Sequence, residues 1–323
     1  MRTHGRTLFV LTLALLLSAC SMFTGTVDDE RPTPETEILR IGVGNAVETA
    51  PLRLAVSEGL FHREGLRVEL TEFSTKDDAM EQLLNGEVDV TFASNVDLLA
   101  AAAEGTKIRL QGEAYIAGSG SMALVTLPES QYTDLGDLPV PRIAVPAPNG
   151  LGTLTTRSVL ESAGIDPDKI IFEVVPFERM VEALRSRRVD AAWMTEPYLA
   201  TVQKEHGARV LADCAHGATE NFPMSAYATT EEFATRNPRT LELFRKSLET
   251  AQQQGVDTGT IRRALPRLAD LDEVTAALVS LEGTYPHSAN AERLQRVADL
   301  MHGAGLLSQR LDVASLVPEQ ELS

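Results

Sequence analysis

Two short stretches of this chain combine glycine, asparagine and hydroxyl residues in an order suited to holding a small oxyanion. Asn149, Gly150, Leu151, Gly152 and Thr153 precede an apolar-periodic segment read as a helix. Glycines there let backbone N–H groups approach a ligand closely, the helix start adds a partial positive charge, and Thr153 adds a hydroxyl donor. The same five residues serve equally well as a tight turn that caps a helix. Ser94 and Asn95 directly follow an apolar strand pattern, where they suit either donation to an oxyanion or amide, or an N-cap. Asn45 and Thr49 lie in a polar turn after the first strand pattern. A third group follows the run 189–192: Trp193, the only tryptophan, then Glu196 and Tyr198. Trp193 reads as a stacking surface or as core; Glu196 as a partner for a cationic group or as a cap before Pro197. Together with Tyr227, Trp193 and Tyr198 suffice to sandwich one heterocycle. Arg157, one turn inside the helix after Thr153, reads as facing a sulfonate or as part of a solvated face.

None of these sets is catalytic. Gly118, Ser119, Gly120 and Ser121 lack the spacing of a nucleophile elbow. Neither a phosphate-binding Gly-x-x-x-x-Gly-Lys loop nor a His-Glu-x-x-His helix occurs. The six histidines show no pair at a zinc-like spacing, so neither a metal nor a cofactor is expected. Net charge is −17, which argues against a nucleic-acid partner, because phosphate-backbone binding relies on clustered Lys and Arg. Hydrophobic content of 43% and charged content of 23% are ordinary for a folded body. Its length fits two domains of usual size.

The elements that must position these residues are legible as strands alternating with helices, which implies mainly parallel sheets covered on both faces. A strand over 38–43 leads through the polar turn 44–49 to a helix opened by Pro51 and ending near Ser57 or Leu60. A strand at 66–73, a helix at 77–84 and a strand at 88–93 follow. About one hundred residues later the progression returns: a strand at 143–145, a turn 146–152, a helix 153–163, a strand 170–175, a helix 178–186 and a strand 189–192. Both copies enter their third strand through Val-Asp, at Val88-Asp89 and Val189-Asp190. Extended runs at 115–127 and 222–229 read as two crossings between two lobes, forming a hinge. From residue 231 to about 307 the pattern is helical, with Asn237-Pro238 as a start signal and Leu241, Phe244 and Leu248 at helical spacing. In such sheets ligands bind beyond the carboxyl ends of the strands, which selects the polar turns named above.

The first residues concern location. Arg2 and Arg6 form a basic segment, residues 8–17 an apolar one too short to span a bilayer, and Leu17-Ser18-Ala19-Cys20 closes it with small residues before a cysteine. This order resembles bacterial lipoprotein signals, which implies cleavage before Cys20 and a diacylglyceryl thioether on its sulfur. The expected division is a signal over 1–19 and a flexible tether over 20–37, polar and lacking any apolar period. With Cys20 acylated, Cys214 has no partner for a disulfide within the chain.

Glu58-Gly59-Leu60-Phe61, Glu64 through Leu70, Asn85 through Val90, and Val189 through Ala192 with Glu196-Pro197-Tyr198 resemble, in this order, bacterial type II periplasmic-binding proteins. The nearest group binds nitrate, sulfonates, taurine and thiamine-pyrimidine precursors. The resemblance spans the chain from about Ile38 to the C-terminal helices; Arg187 departs from it, at a turn where glycine is usual. It implies an α/β, two-lobed fold, each lobe a mainly parallel sheet flanked by helices, with C-terminal helices packed on the first lobe. Lobe I is expected over 38–123 and 223–323, lobe II over 124–222. It further implies a monomeric, extracytoplasmic solute-binding subunit of an ATP-driven importer, tethered beside its permease and ATPase subunits and closing by a hinge on a small organic anion. The competing expectations are a heterocyclic solute, an enzyme on the same fold, and a sensory or adhesion module.

Overall fold

The computed structural model describes residues 33–73, 76–254 and 257–318, so the signal segment, Cys20 and most of the expected tether lie outside the described residues. The organised body begins at Pro34. Within the span 20–37 expected as the tether, Glu35 and Thr36 bond to Thr240. The Glu35 carboxylate accepts the backbone N–H groups of Arg239 (2.9 Å) and Thr240 (2.7 Å), and the Thr240 hydroxyl as well. Those donors are among the unpaired ones that open the helix Pro238–Gln254, so an acid from far away in sequence caps it. Polarity hid this contact, because a capping carboxylate and a solvated one look alike in sequence.

Ten strands form two sheets: β1 (Ile38–Val43), β2 (Arg67–Glu72), β3 (Val90–Ser94), β4 (Ile108–Ile116), β5 (Met122–Thr126), β6 (Arg142–Val145), β7 (Ile171–Val174), β8 (Ala191–Thr195), β9 (Arg209–Asp213) and β10 (Pro223–Thr230). Their orders are β2-β1-β3-β10-β4 and β7-β6-β8-β5-β9. β1 runs parallel to β2 and β3, and β6 parallel to β7 and β8; β10 and β5 are the antiparallel members. Each sheet thus accepts one strand that has just crossed from the other lobe. β4 and β9 were not legible as strands, and β4 shows why. Its Gln111 and Glu113 are buried polar residues, and Glu113, fully buried, is neutralised by Arg293 at 2.8 Å. A charge matched from 180 residues away breaks the apolar pattern without breaking the strand.

The repeated Val-Asp step has a physical cause. Asp89 accepts the Arg40 backbone N–H (2.8 Å), Nε (3.1 Å) and Nη2 (2.6 Å), and its own N–H donates to the Arg40 carbonyl at 2.8 Å. In lobe II, Asp190 makes the same four bonds with Arg142 at 2.8, 3.1, 2.7 and 2.8 Å. Thr229 donates to the Asp89 carbonyl and Thr126 to that of Asp190. Each clamp staples the entry of the third strand to the first, fixing register where the preceding turn could slip. That turn needs a left-handed residue: Gly86 takes it at φ 72° and Arg187 at φ 56°.

The helices Pro238–Gln254 and Ala291–Gly303 pack on lobe I, with Leu241, Phe244 and Leu248 buried as expected, and Thr258–Leu268 lies against Ala50–Ser57. Glu273–Leu278 goes further and touches the lobe II helix Tyr198–His206. Lys204 there reaches Asp272 and the Thr275 hydroxyl. Among the described residues no helix is long and apolar enough to cross a membrane.

Candidate functional site

The carboxyl ends of β1 and β3 in lobe I and of β6 and β8 in lobe II meet across one boundary. Asn45, in the turn after β1, donates its amide to the Glu196 carbonyl after β8 at 2.8 Å. The other amide hydrogen goes to Glu48 Oε1 at 2.9 Å, and Asn45 Oδ1 accepts the N–H of Val47 at 2.9 Å. Glu48 Oε2 accepts the Ser225 hydroxyl at the start of β10. Tyr285, arriving from the C-terminal region, donates to the Val47 carbonyl at 2.7 Å and tilts against Tyr115, ring centres 5.1 Å apart. The lobes therefore meet through a polar hub made by four distant segments.

Glu196 is the counterpart in lobe II. Its carboxylate accepts the N–H of Ala200 at 3.1 Å, capping the helix Tyr198–His206, and the N–H of Ser280 at 2.8 Å. Burial pushes both Glu48 and Glu196 up to about 7, with the Ser225 hydroxyl opposing this at Glu48 and the two N–H groups at Glu196. Two carboxyls that are neutral through the mildly acidic range thus line the boundary.

The other candidates divide into those at this boundary and those drawn into packing. Ser94 caps the helix Asn95–Ala103, accepting the Asp97 N–H at 3.1 Å and donating back to its carboxylate at 2.8 Å. Asn95 is fully buried; its amide donates to the Pro223 carbonyl at 3.0 Å, and its Oδ1 has no partner. Thr49 bonds the Asn45 carbonyl and accepts Arg53 Nε, serving its own loop. The Thr153 hydroxyl is likewise engaged by the carbonyls of Ala147 and Pro148. Gly152 makes room for Trp193: a Cβ there would stand 2.9 Å from the indole ring. Gly150 begins the helix Leu151–Ser162, which has no side-chain cap of its own. A Cβ on Gly150 would lie 3.7 Å from Asp97 Oδ1 of lobe I, so a carboxylate oxygen already stands beside that helix start. Asn149 is exposed at the same turn.

Of the three aromatic candidates, Trp193 and Tyr198 meet on one phenylalanine ring and Tyr227 lies apart. Trp193, within β8, is buried against Phe177, which also stacks on Tyr198 at 4.5 Å; the Tyr198 hydroxyl donates to Glu178. Tyr227 is buried in lobe I between Phe92 and Phe244. Arg157 lies over the Phe172 ring and pairs with Asp168. Glu48, Ser225 and Tyr285 were not singled out from sequence. Only Glu48 left a trace, three residues after Asn45 in one polar turn; the other two are 177 and 238 residues from their partners.

Among the described residues no cluster of His, Cys, Asp or Glu is arranged to hold a metal. A groove of about 570 Å³ lies on the outer face of lobe I, between Gln111, Arg239, Arg245 and His287, and includes none of the candidate residues.

The model of the NMT1-like family matches residues 32–269, nearly three quarters of the chain. The chain belongs to the NMT1-like family. Two Bacillus subtilis (strain 168) relatives of this NMT1-like protein are each 23% identical. One, named as the binding protein YtlA, matches over 68% of this chain and 66% of its own length, so the chain spans just under two thirds of that relative. The other, named for binding aliphatic sulfonates, matches over 96% and 93%. Among solved structures, the alkanesulfonate-binding protein SsuA from Xanthomonas axonopodis pv. citri, bound to MOPS, superposes with a TM-score of 0.72 at 21% identity, over 88% of this chain and 98% of that one. The NMT1-like chain therefore has the two-lobed α/β fold of periplasmic-binding proteins, as the sequence resemblance implied.

Proposed function

We propose that this protein is the solute-binding subunit of an ABC importer, capturing a small organic anion of the sulfonate class between its lobes, without catalysis. The observation that carries this reading is the meeting of two sheets of one topology through the carboxyl ends of their strands, where ligands of open α/β sheets bind. Relatives named for sulfonate binding support the solute class. The start of Leu151–Ser162, beside which the Asp97 carboxylate stands, would offer its backbone N–H groups to an oxyanion taking that place. Glu48 and Glu196 oppose such a ligand little where they are neutral. Asn149 and Gly150 flank the oxyanion.

In this reading Cys20 carries the lipid that keeps the monomer outside the cytoplasm, beside its permease and ATPase, and the solute shifts an open-closed equilibrium of the lobes. Calorimetry with propane-1-sulfonate, taurine and nitrate tests it: saturable binding of a sulfonate with no turnover is expected, and the absence of binding by all three overturns the solute class. Cys20→Ala is expected to release the protein from membranes with unchanged affinity.

A further inference from the structure

Glu48 is buried in lobe I without a cation of its own: the nearby Arg53 is paired with Glu72 and bonded to the Gly44 carbonyl. A buried carboxyl is retained at a cost unless its bonds accomplish something. Here one oxygen takes the Ser225 hydroxyl, on the strand where the chain re-enters lobe I, and the other takes the Asn45 amide. That amide has no freedom left. Its oxygen accepts Val47 N–H, and its second hydrogen crosses the boundary to the Glu196 carbonyl. Turning the amide over would set its oxygen against the Glu196 carbonyl and its NH2 against the Val47 N–H, so acceptor would face acceptor and donor would face donor.

We infer that Glu48 is a positioning residue for lobe closure: by fixing the Asn45 amide it makes the bond to the Glu196 carbonyl available whenever the lobes meet. It acts as a hydrogen-bonding hub and not through its charge. One oxygen must accept from Asn45, while the Ser225 hydroxyl either donates to the second atom or accepts from it. A neutral Gln meets both demands, with its oxygen toward Asn45 and its amide hydrogens toward Ser225. The inference rests on the hinge-closing part of the proposed function and is independent of which solute binds.

The test uses the full chain carrying one spin label on each lobe, with interlobe distances measured without solute and with propane-1-sulfonate. Glu48→Ala is expected to lower the closed population without solute about tenfold, Asn45→Ala to do the same, and the double variant to add little, since both remove one bond. Glu48→Gln is expected to stay within about twofold of the parent. An unchanged distance distribution in a folded Glu48→Ala protein overturns the inference, as does a Glu48→Gln protein that opens like Glu48→Ala. If propane-1-sulfonate fails to bind while the distances respond as stated, the positioning role stands and the solute class falls.

Discussion

The two lobes agree to within 0.1 Å at their Arg-Asp clamps and differ five residues further on, where Ser94-Asn95 of lobe I stands against Thr195-Glu196 of lobe II. The clamp has one task, to tie the third strand to the first, and the same chemistry solves it twice. The strand ends face each other and have unequal tasks. Lobe I presents the Asn45 amide, held by Glu48, and lobe II presents the Glu196 carbonyl that receives it and a carboxyl that caps a helix and holds Ser280. Sameness marks what builds a lobe, and difference marks what lets two lobes act as one.

The comparison breaks most sharply at the clamps. Asp89→Ala is expected to destabilise by about 3 kcal/mol and Asp190→Ala by somewhat less, because each leaves an N–H and a guanidinium without its acceptor and Asp190 is the more exposed. Denaturant unfolding of both variants checks the order, and equal losses would show that burial does not separate the copies. Gly152→Ala sets a methyl against the Trp193 ring and is expected to cost about 2 kcal/mol with a shift in tryptophan emission.

The two glutamates sharpen the contrast next. Glu196 accepts from two backbone N–H groups, neither of which can turn donor into acceptor, so Glu196→Gln orphans one of them at about 1–2 kcal/mol; Glu48→Gln is expected to be neutral. An acid raised from its ordinary 4.5 to about 7 binds its proton more tightly when folded. Its stabilising effect is complete below about 4.5 and declines as pH rises toward 7, by on the order of 1 kcal/mol per pH unit. The titratable groups that feel the Glu48 charge are Tyr115, Tyr227 and Tyr285. None pairs with it as a cation, so thermal melts from pH 5 to 8 are expected to show a flatter decline in Glu48→Gln than in the parent. Smallest is the turn before the clamps: Arg187→Gly relieves a left-handed arginine and is expected to add about 0.5–1 kcal/mol.

Sequence carried the repeat because the clamp is local on each side: a Val-Asp step after a turn, opposite a strand of β-branched residues. It carried the general position of the cleft for the same reason, since polar turns after apolar strands are visible as such. What it could not carry was the pairing. Glu35, Glu113 and Tyr285 are each completed by partners more than 170 residues away, and a polar residue whose partner is that distant reads as a solvated one. The cleft donors Thr49 and Thr153 fit the expected places, yet their hydroxyls already serve the loops that carry them.

The Glu35 cap also decides how a lipid at Cys20 would transmit its position. If Cys20 carries the proposed lipid, the 14 residues from Cys20 to Thr33 allow it to lie at most roughly 50 Å from Pro34 of lobe I. Lobe I would then be the moored half, held within that height of the bilayer, and lobe II the half that travels. A permease would meet a jaw with one fixed and one moving blade, and cutting the chain on either side of Glu35 would separate anchorage from the stability of the helix Pro238–Gln254.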